Sequence, residues 1–191
     1  MHKIMVLMGL FCFGNVYADL AQDRDSEYGV ITDYVGQVAK TMSEKLDQNQ
    51  LSENEIYVLL AGLVAYDARI WSATLAFNPV YIEDMKQGAE ESVSAKTWAT
   101  FASKKAKTLY APYVWRAEDN FMHADNIANQ ASTFGYDYTD GHWSWWTDTM
   151  QSGKARWSKP VYSNLTGHHM VSYSYPIKRD AVLSFNVYHR S

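Results

Sequence analysis

The order of hydrophobic patterns along the chain predicts an α+β domain, with helices first and an antiparallel sheet after them. Residues 27–48 set Val30, Tyr34, Val38 and Met42 four apart among polar residues, which is a helical spacing. Five later segments, from IWSATLAF to AVLSFNVYH, are rich in β-branched and aromatic residues and are bounded by turn residues, as short strands are. The chain has 191 residues, 47% of them hydrophobic and 15% aromatic, which is ample for one core.

The first residues combine Lys3, an apolar stretch over 4–13 and the small-residue context Val16-Tyr17-Ala18. They read as a secretory signal peptide over residues 1–18, with a mature chain of one domain beginning at Asp19. The only cysteine, Cys12, follows the bulky Phe11. No lipid is therefore expected on it, and the mature chain can form no internal disulfide. Cleavage leaves 16 basic against 21 acidic residues, a formal charge of −5, which gives no electrostatic attraction to nucleic acid or an anionic membrane. The most apolar internal run, IYVLLAGLVAY over 56–66, is bracketed by Glu53, Glu55, Asp67 and Arg69. It is shorter than the roughly 20 residues of a bilayer span, so the mature protein is expected to be soluble in the periplasm and not inserted in the membrane.

The helix over 27–48 is closed by Asp47 and Asn49. Ser52 and Glu55 form the Ser-x-x-Glu pattern of a capping box ahead of the apolar run, so a second, largely buried helix starts there. The helical part covers about 27–66 and the sheet part about 70–189. IWSATLAF is a strand stopped by Asn78-Pro79. In KTLYAPYVWR, Pro112 cannot donate a ladder hydrogen bond, which predicts an edge strand or a bulge. Residues 120–131 are expected to be helix or loop. WSWW opens a short helix, KPVYSN and HHMVSYSYPI form two strands around a turn at 164–167, and AVLSFNVYH is the last strand.

The stretch 136–177 holds four of the seven tryptophans. Aromatic rings crowd either a core or the wall of a small-molecule pocket, and Trp145, Trp146 and Trp157 are open to both readings. Tyr136 and Tyr138 flank Asp137; a carboxylate among phenols suits an amine, whereas Asp140 before Gly141 suits a turn. Arg116 ends a strand as a solvated rim charge or a ligand clamp. Tyr173 and Tyr175 share one strand face, while His168 and His169 point to opposite faces without the partners of a metal site. There is no Gly-x-Ser-x-Gly elbow, no phosphate-cradling glycine loop and no mature cysteine nucleophile, so a binding protein is favoured over an enzyme. A protein-interaction adaptor without a small ligand is the alternative, and a hydrolytic enzyme with a Ser-His-Asp set assembled from distant positions a less favoured one.

In that order, IWSATLAFNP, TLYAPYVWR, YDYTDG, WSWW, ARWSKPVYSN, MVSYSYPI and AVLSFNV resemble the Cache family of extracytoplasmic sensor domains. The resemblance implies a PAS-like antiparallel sheet behind a long N-terminal helix, with a small ligand between the sheet and the loops and short helix that cover it. Members form the outer parts of chemoreceptors, histidine kinases or cyclic-dinucleotide enzymes. With little chain after its last strand, this sequence reads as a free-standing version. Occupancy would then be reported to a separate membrane-bound sensor, with the helix over 27–48 as the contact. In the amino-acid-binding branch an Arg-x-Trp-Tyr run holds the carboxylate and a late Asp the ammonium. The matching positions here are Trp143-Ser144-Trp145-Trp146 and Asn186, so both charged partners are missing and amino-acid specificity does not carry over.

The expected ligand-binding residues are Tyr110, Arg116, Tyr136, Tyr138, Trp143 and Trp145, with Trp146, Trp157, Tyr162, Tyr173 and Asn186. Trp146 and Tyr173 are expected to line one cavity. The ligand is an amine, an amino-acid-like molecule or a small carboxylate; no catalytic residue, cofactor or metal is expected.

Overall fold

A computed structural model describes residues 11–48, 50–82, 109–117, 121–127, 137–163, 167–178 and 180–189, with side chains from residue 26 onward. Helices α1 (Phe11–Asp47) and α2 (Glu53–Tyr66) precede strands β1 (Ile70–Phe77), β2 (Pro112–Arg116) and β3 (Met122–Asn126). Helix α3 (Ser144–Ser152) is followed by β4 (Arg156–Trp157), β5 (Val161–Ser163), β6 (His168–Ile177) and β7 (Ala181–Tyr188). The strands form one antiparallel sheet in the order β3-β2-β1-β7-β6-β4, with β5 also paired to β6. The α+β class is therefore as expected. The chain divides between Tyr34 and Val35. The first unit contains the N-terminal part of α1; the second contains the remainder of α1, α2, α3 and the whole sheet.

Helix α1 begins well before residue 27, and its buried stripe runs through Val35, Val38, Met42 and Leu46, while Val30 is 70% exposed. A strict four-residue spacing drifts about 40° per step around a helix of 3.6 residues per turn, so the expected stripe could not stay on one face. Helix α2 starts as expected. Ser52 Oγ accepts from the Glu55 amide at 3.3 Å and the Glu55 carboxylate accepts from the Ser52 amide at 3.0 Å.

Lys45 from the last turn of α1 donates to the same carboxylate at 2.8 Å. The Lys45 hydrogen bond, then those from Ser52, hold the Glu55 pKa down at about 2 against an ordinary 4.5. A depressed carboxylate contributes stability that is present above its unfolded pKa and is lost as pH falls through its folded pKa. Glu55→Gln is therefore expected to flatten the stability profile between pH 4.5 and about 2, relative to wild type, in urea melts taken across that window. Parallel profiles would show that the carboxylate adds nothing beyond the cap.

Two expectations about the sheet are corrected. Residues 122–126 are strand, not helix or loop, because every one of them pairs with β2. Strand β2 is not an edge, since it lies between β1 and β3. Pro112 is tolerated there as the first residue of its strand, where one missing donor costs a single ladder bond. The polar interval from residue 83 and turn residues 164–166 lie outside the described residues.

Strands β1 and β7, the first and last in sequence, lie side by side at the centre of the sheet. Side chains alternate between the two faces. One face carries Leu75, Phe77, Leu183, Phe185 and Val187, all 1% exposed or less; each fully buried apolar side chain contributes about 1.5–3 kcal/mol. The part of α1 in the second unit meets this face, where a Cβ at Gly36 would lie 3.6 Å from the Tyr175 ring. The hairpin between β6 and β7 is tied to the end of α1 by an ion pair of Lys178 with Asp47.

Candidate ligand-binding site

The other face of the sheet has a different chemistry. Ala76 pairs with Val182, Thr74 with Ser184 and Ser72 with Asn186 between β1 and β7; on β6, Ser174 and Ser172 continue the same two rows. Four of the five buried polar side chains among the described residues, Ser72, Thr74, Ser174 and Ser184, belong to this set. Burying a hydroxyl is unfavourable without a hydrogen bond, and each of these has one. Asn186 Nδ2 donates to Ser72 Oγ at 2.8 Å, and Asn186 Oδ1 accepts from Ser172 Oγ. Ser174 and Ser184 share a hydrogen bond of 2.9 Å, and Thr74 Oγ1 donates to the Pro112 carbonyl at 2.9 Å. The result is a hydroxyl-and-amide floor across three central strands.

Aromatic side chains flank this floor on two sides. At one end, Tyr138, Trp145 and Trp146 pack with Ala76 and Val182 in one buried cluster that Trp143 adjoins. On β2, Tyr113 and Trp115 pair with Thr74 and Ser72 and therefore share the floor's face. Their rings stack 5.3 Å apart, and His123 of β3 stacks on Trp115 at 5.3 Å. Thr149 sits on the buried side of α3 with Trp145 and Trp146, and its Oγ1 is buried without a hydrogen-bond partner.

The expected site residues divide between these two faces. Asn186 is at the centre of the floor. Trp143, Trp145 and Trp146 belong to the α3 wall, with Trp145 and Trp146 almost fully buried. Tyr138 is a joint of the fold: its hydroxyl donates to the Phe77 carbonyl at 2.7 Å and accepts from the Tyr110 amide at 3.2 Å. Tyr110 turns instead to α2, donating to Glu53 at 3.1 Å. Burial, with Glu53 beside it, pushes its phenol above the usual range. Tyr162 lies on β5, 54% exposed. Tyr136 lies outside the described residues. Asp140 takes the turn role, hydrogen-bonded to His142, which lowers its pKa.

Three expected residues are on the helix face. Trp157 pairs with Tyr173, and Tyr173 with Phe185. The three rings form a cluster with centroids 5.1–5.7 Å apart. Because Phe185 alternates with Ser184 and Asn186, Tyr173 points away from the floor, and the expected cavity shared by Trp146 and Tyr173 does not exist.

Arg116 also points to the helix face, one residue past Trp115. Its Nη2 donates to the Val64 carbonyl at 2.6 Å, where a cation favours the negative end of α2. That bond ties β2 to the end of α2. Arg116→Met is expected to cost about 1–3 kcal/mol of stability and to leave small-molecule binding unchanged. Urea melts beside binding isotherms check this, and weakened binding at unchanged stability would put the guanidinium in the site after all.

Sequence reasoning missed Ser72, Thr74, Ser172, Ser174, Ser184, Tyr113 and Trp115. A signal was present: small polar residues recur two apart in IWSAT, SYSY and LSFN, which is the period of one strand face.

The model of the family described as "Methyl-accepting chemotaxis protein-like, first PDC sensor domain" matches residues 56–185, more than half of the chain. No match was found among curated proteins. Among solved structures, the extracellular domain assigned to histidine kinase soHK1S-Z6 aligns over 92% of this chain and 61% of its own, at 18% identity and TM-score 0.58. That of mmHK1S-Z3 aligns over 87% and 54%, at 15% identity and TM-score 0.61. Methyl-accepting chemotaxis protein X aligns over 91% and 64%, at 16% identity and TM-score 0.50. The chain thus spans less than two thirds of each of these structures. At such identities the likeness shows the fold alone, and it agrees with the PAS-like sheet. Among the described residues no helix is long and apolar enough to cross a membrane.

Proposed function

The chain belongs to the methyl-accepting chemotaxis protein-like family of first PDC sensor domains, and from that membership we propose that it binds a small polar molecule over the Asn186 floor and reports occupancy to a membrane-bound sensor partner. One observation carries the reading. A sheet face that served only as core would be lined like its opposite face, with Leu75, Phe77 and Leu183; this one is lined with hydrogen-bonded Ser, Thr and Asn. Hydroxyls and an amide offer both donors and acceptors, and indole and phenol rings beside them give contact area and stacking. The side chains on β1, β6 and β7 in this floor are uncharged, which suits neutral donor and acceptor groups better than a bare carboxylate. The chemistry is recognition without bond making.

Export through residues 1–18 to the periplasm is part of the proposal, and intact-mass measurement tests it: a species beginning at Asp19 without lipid is expected. A thermal-shift panel of amines, amino acids, small carboxylates and sugars tests the binding reading. A ligand at 100 times its dissociation constant stabilises by about 2.7 kcal/mol. No shift from any class would leave the adaptor reading, which a pull-down from solubilised membranes addresses. Recovery of a membrane sensor that changes with ligand supports signalling; equal recovery with and without ligand would leave a scavenging role.

A further inference from the structure

Strand β3 ends the sheet on one side, and among the described residues no other strand pairs with its outer edge. On its inner edge the Ala117 amide donates to the Phe121 carbonyl and the Ile127 amide to the Ala111 carbonyl, each at 2.9 Å. These bonds set the antiparallel alternation: residues 121, 123, 125 and 127 bond toward β2, and the amides and carbonyls of Met122, Ala124 and Asn126 point outward. The Asn126 amide is taken by the Asp125 carboxylate at 2.6 Å. Ala124, at the middle of the strand, is exposed, as are Phe121 at 70% and Met122 at 40%.

A row of outward amides and carbonyls is a template for another strand, and soluble proteins ordinarily blunt such edges with lysine, proline or a bulge. The sequence of β3, MHADN, has no lysine or proline, and its pairing with β2 runs without a register shift. His123 and Asp125 pair with Trp115 and Tyr113, so both side chains lie on the floor's face of the sheet, one on either side of Ala124.

We propose that β3 is a self-association edge, which pairs antiparallel with β3 of a second copy about a two-fold axis at Ala124 and joins the two sheets. Only this register overlaps all five residues of the strand. It sets His123 of each copy opposite Asp125 of the other, at a position between hydrogen-bonded pairs where Cα atoms are about 4.5 Å apart and side chains are closest. An imidazole N–H facing a carboxylate favours such a pair, and the two-fold axis forms it twice. On the same face, exposed Phe121 comes opposite Ile127, apolar on apolar. Moving the axis one residue either way would set His123 opposite His123 or Asp125 opposite Asp125, so charge selects the same register as overlap does. A strand complementary to itself about its central residue fits a second copy, as an isologous contact requires. The pairing does not depend on what the Asn186 floor binds.

So short a pairing is smaller than a standard interface, and the dimer is therefore concentration-dependent. Sedimentation velocity from micromolar to millimolar protein is expected to show a monomer–dimer equilibrium. Ala124→Pro removes an outward amide that β2 does not use, so it is expected to leave the domain folded, as a melt verifies, and to abolish the dimer. His123→Glu sets like charges face to face at two places and is expected to weaken association about tenfold or more, whereas His123→Lys keeps opposite charges together and retains the dimer. If Ala124→Pro does not fold, the two His123 variants decide alone. A dimer that survives Ala124→Pro in a folded domain, or one unaffected by His123→Glu, overturns the proposal. A monomer at every concentration also overturns it and leaves the edge to a strand of another protein.

Discussion

Trp146→Ala is expected to destabilise the domain by about 3–5 kcal/mol, the range for truncating a large buried aromatic. Trp146 is 5% exposed. Its ring meets Tyr138 edge-on at 5.0 Å and Trp145 at 6.3 Å, over Ala76 and Val182. Residues this small leave the sheet beneath unable to fill the space, so a cavity remains and its cost adds to the lost transfer energy. Tyr138 would lose packing on the ring that bonds the end of β1 to Tyr110, so the damage reaches the strand order itself. Urea melts measure the loss, and a change below about 1 kcal/mol with weakened ligand binding would make Trp146 a ligand contact on a surface that needs no packing.

The elements whose signals are local were legible in the sequence. Ser52 and Glu55 are three residues apart and fix the start of α2 by themselves. Asn78-Pro79 ends β1 for the same reason. The errors came where an answer depends on a distant partner. Residues 122–126 have little strand character of their own, and they are strand because β2 offers five pairing positions. Which face of β6 carries the site could not be read from SYSYP: the two tyrosines were visibly on one face and the two serines on the other. Pairing Tyr173 with Phe185 and Ser174 with Ser184 puts the tyrosines on the helix face and the serines on the floor. Large aromatic residues drew attention to the helix face, and a buried serine advertises itself only when its neighbours across three strands are known. Asn186 was singled out because the resemblance pointed to its position, and in the structure it bonds Ser72 and Ser172.

Those bonds lead to the sharpest separation between the two faces. Asn186→Leu keeps roughly the shape of the side chain and removes its donor and acceptor, so a ligand that hydrogen-bonds the floor is left with an unsatisfied polar group. Such a loss is typically about 1–3 kcal/mol, or about 5- to 150-fold in affinity, for whichever compound shifts the melting temperature in the panel. Tyr173→Leu is the control from one strand away. It removes a ring from the Trp157–Phe185 cluster on the helix face, and it is expected to lower stability while leaving affinity intact. The amide in Asn186 is held at both ends, Nδ2 toward Ser72 and Oδ1 toward Ser172, so it meets a ligand already oriented, and little ordering entropy remains to be lost on binding. Isothermal titration on both variants gives the answer directly. Wild-type affinity in Asn186→Leu would remove the floor from the site, and lost affinity in Tyr173→Leu at unchanged stability would move the site to the helix face.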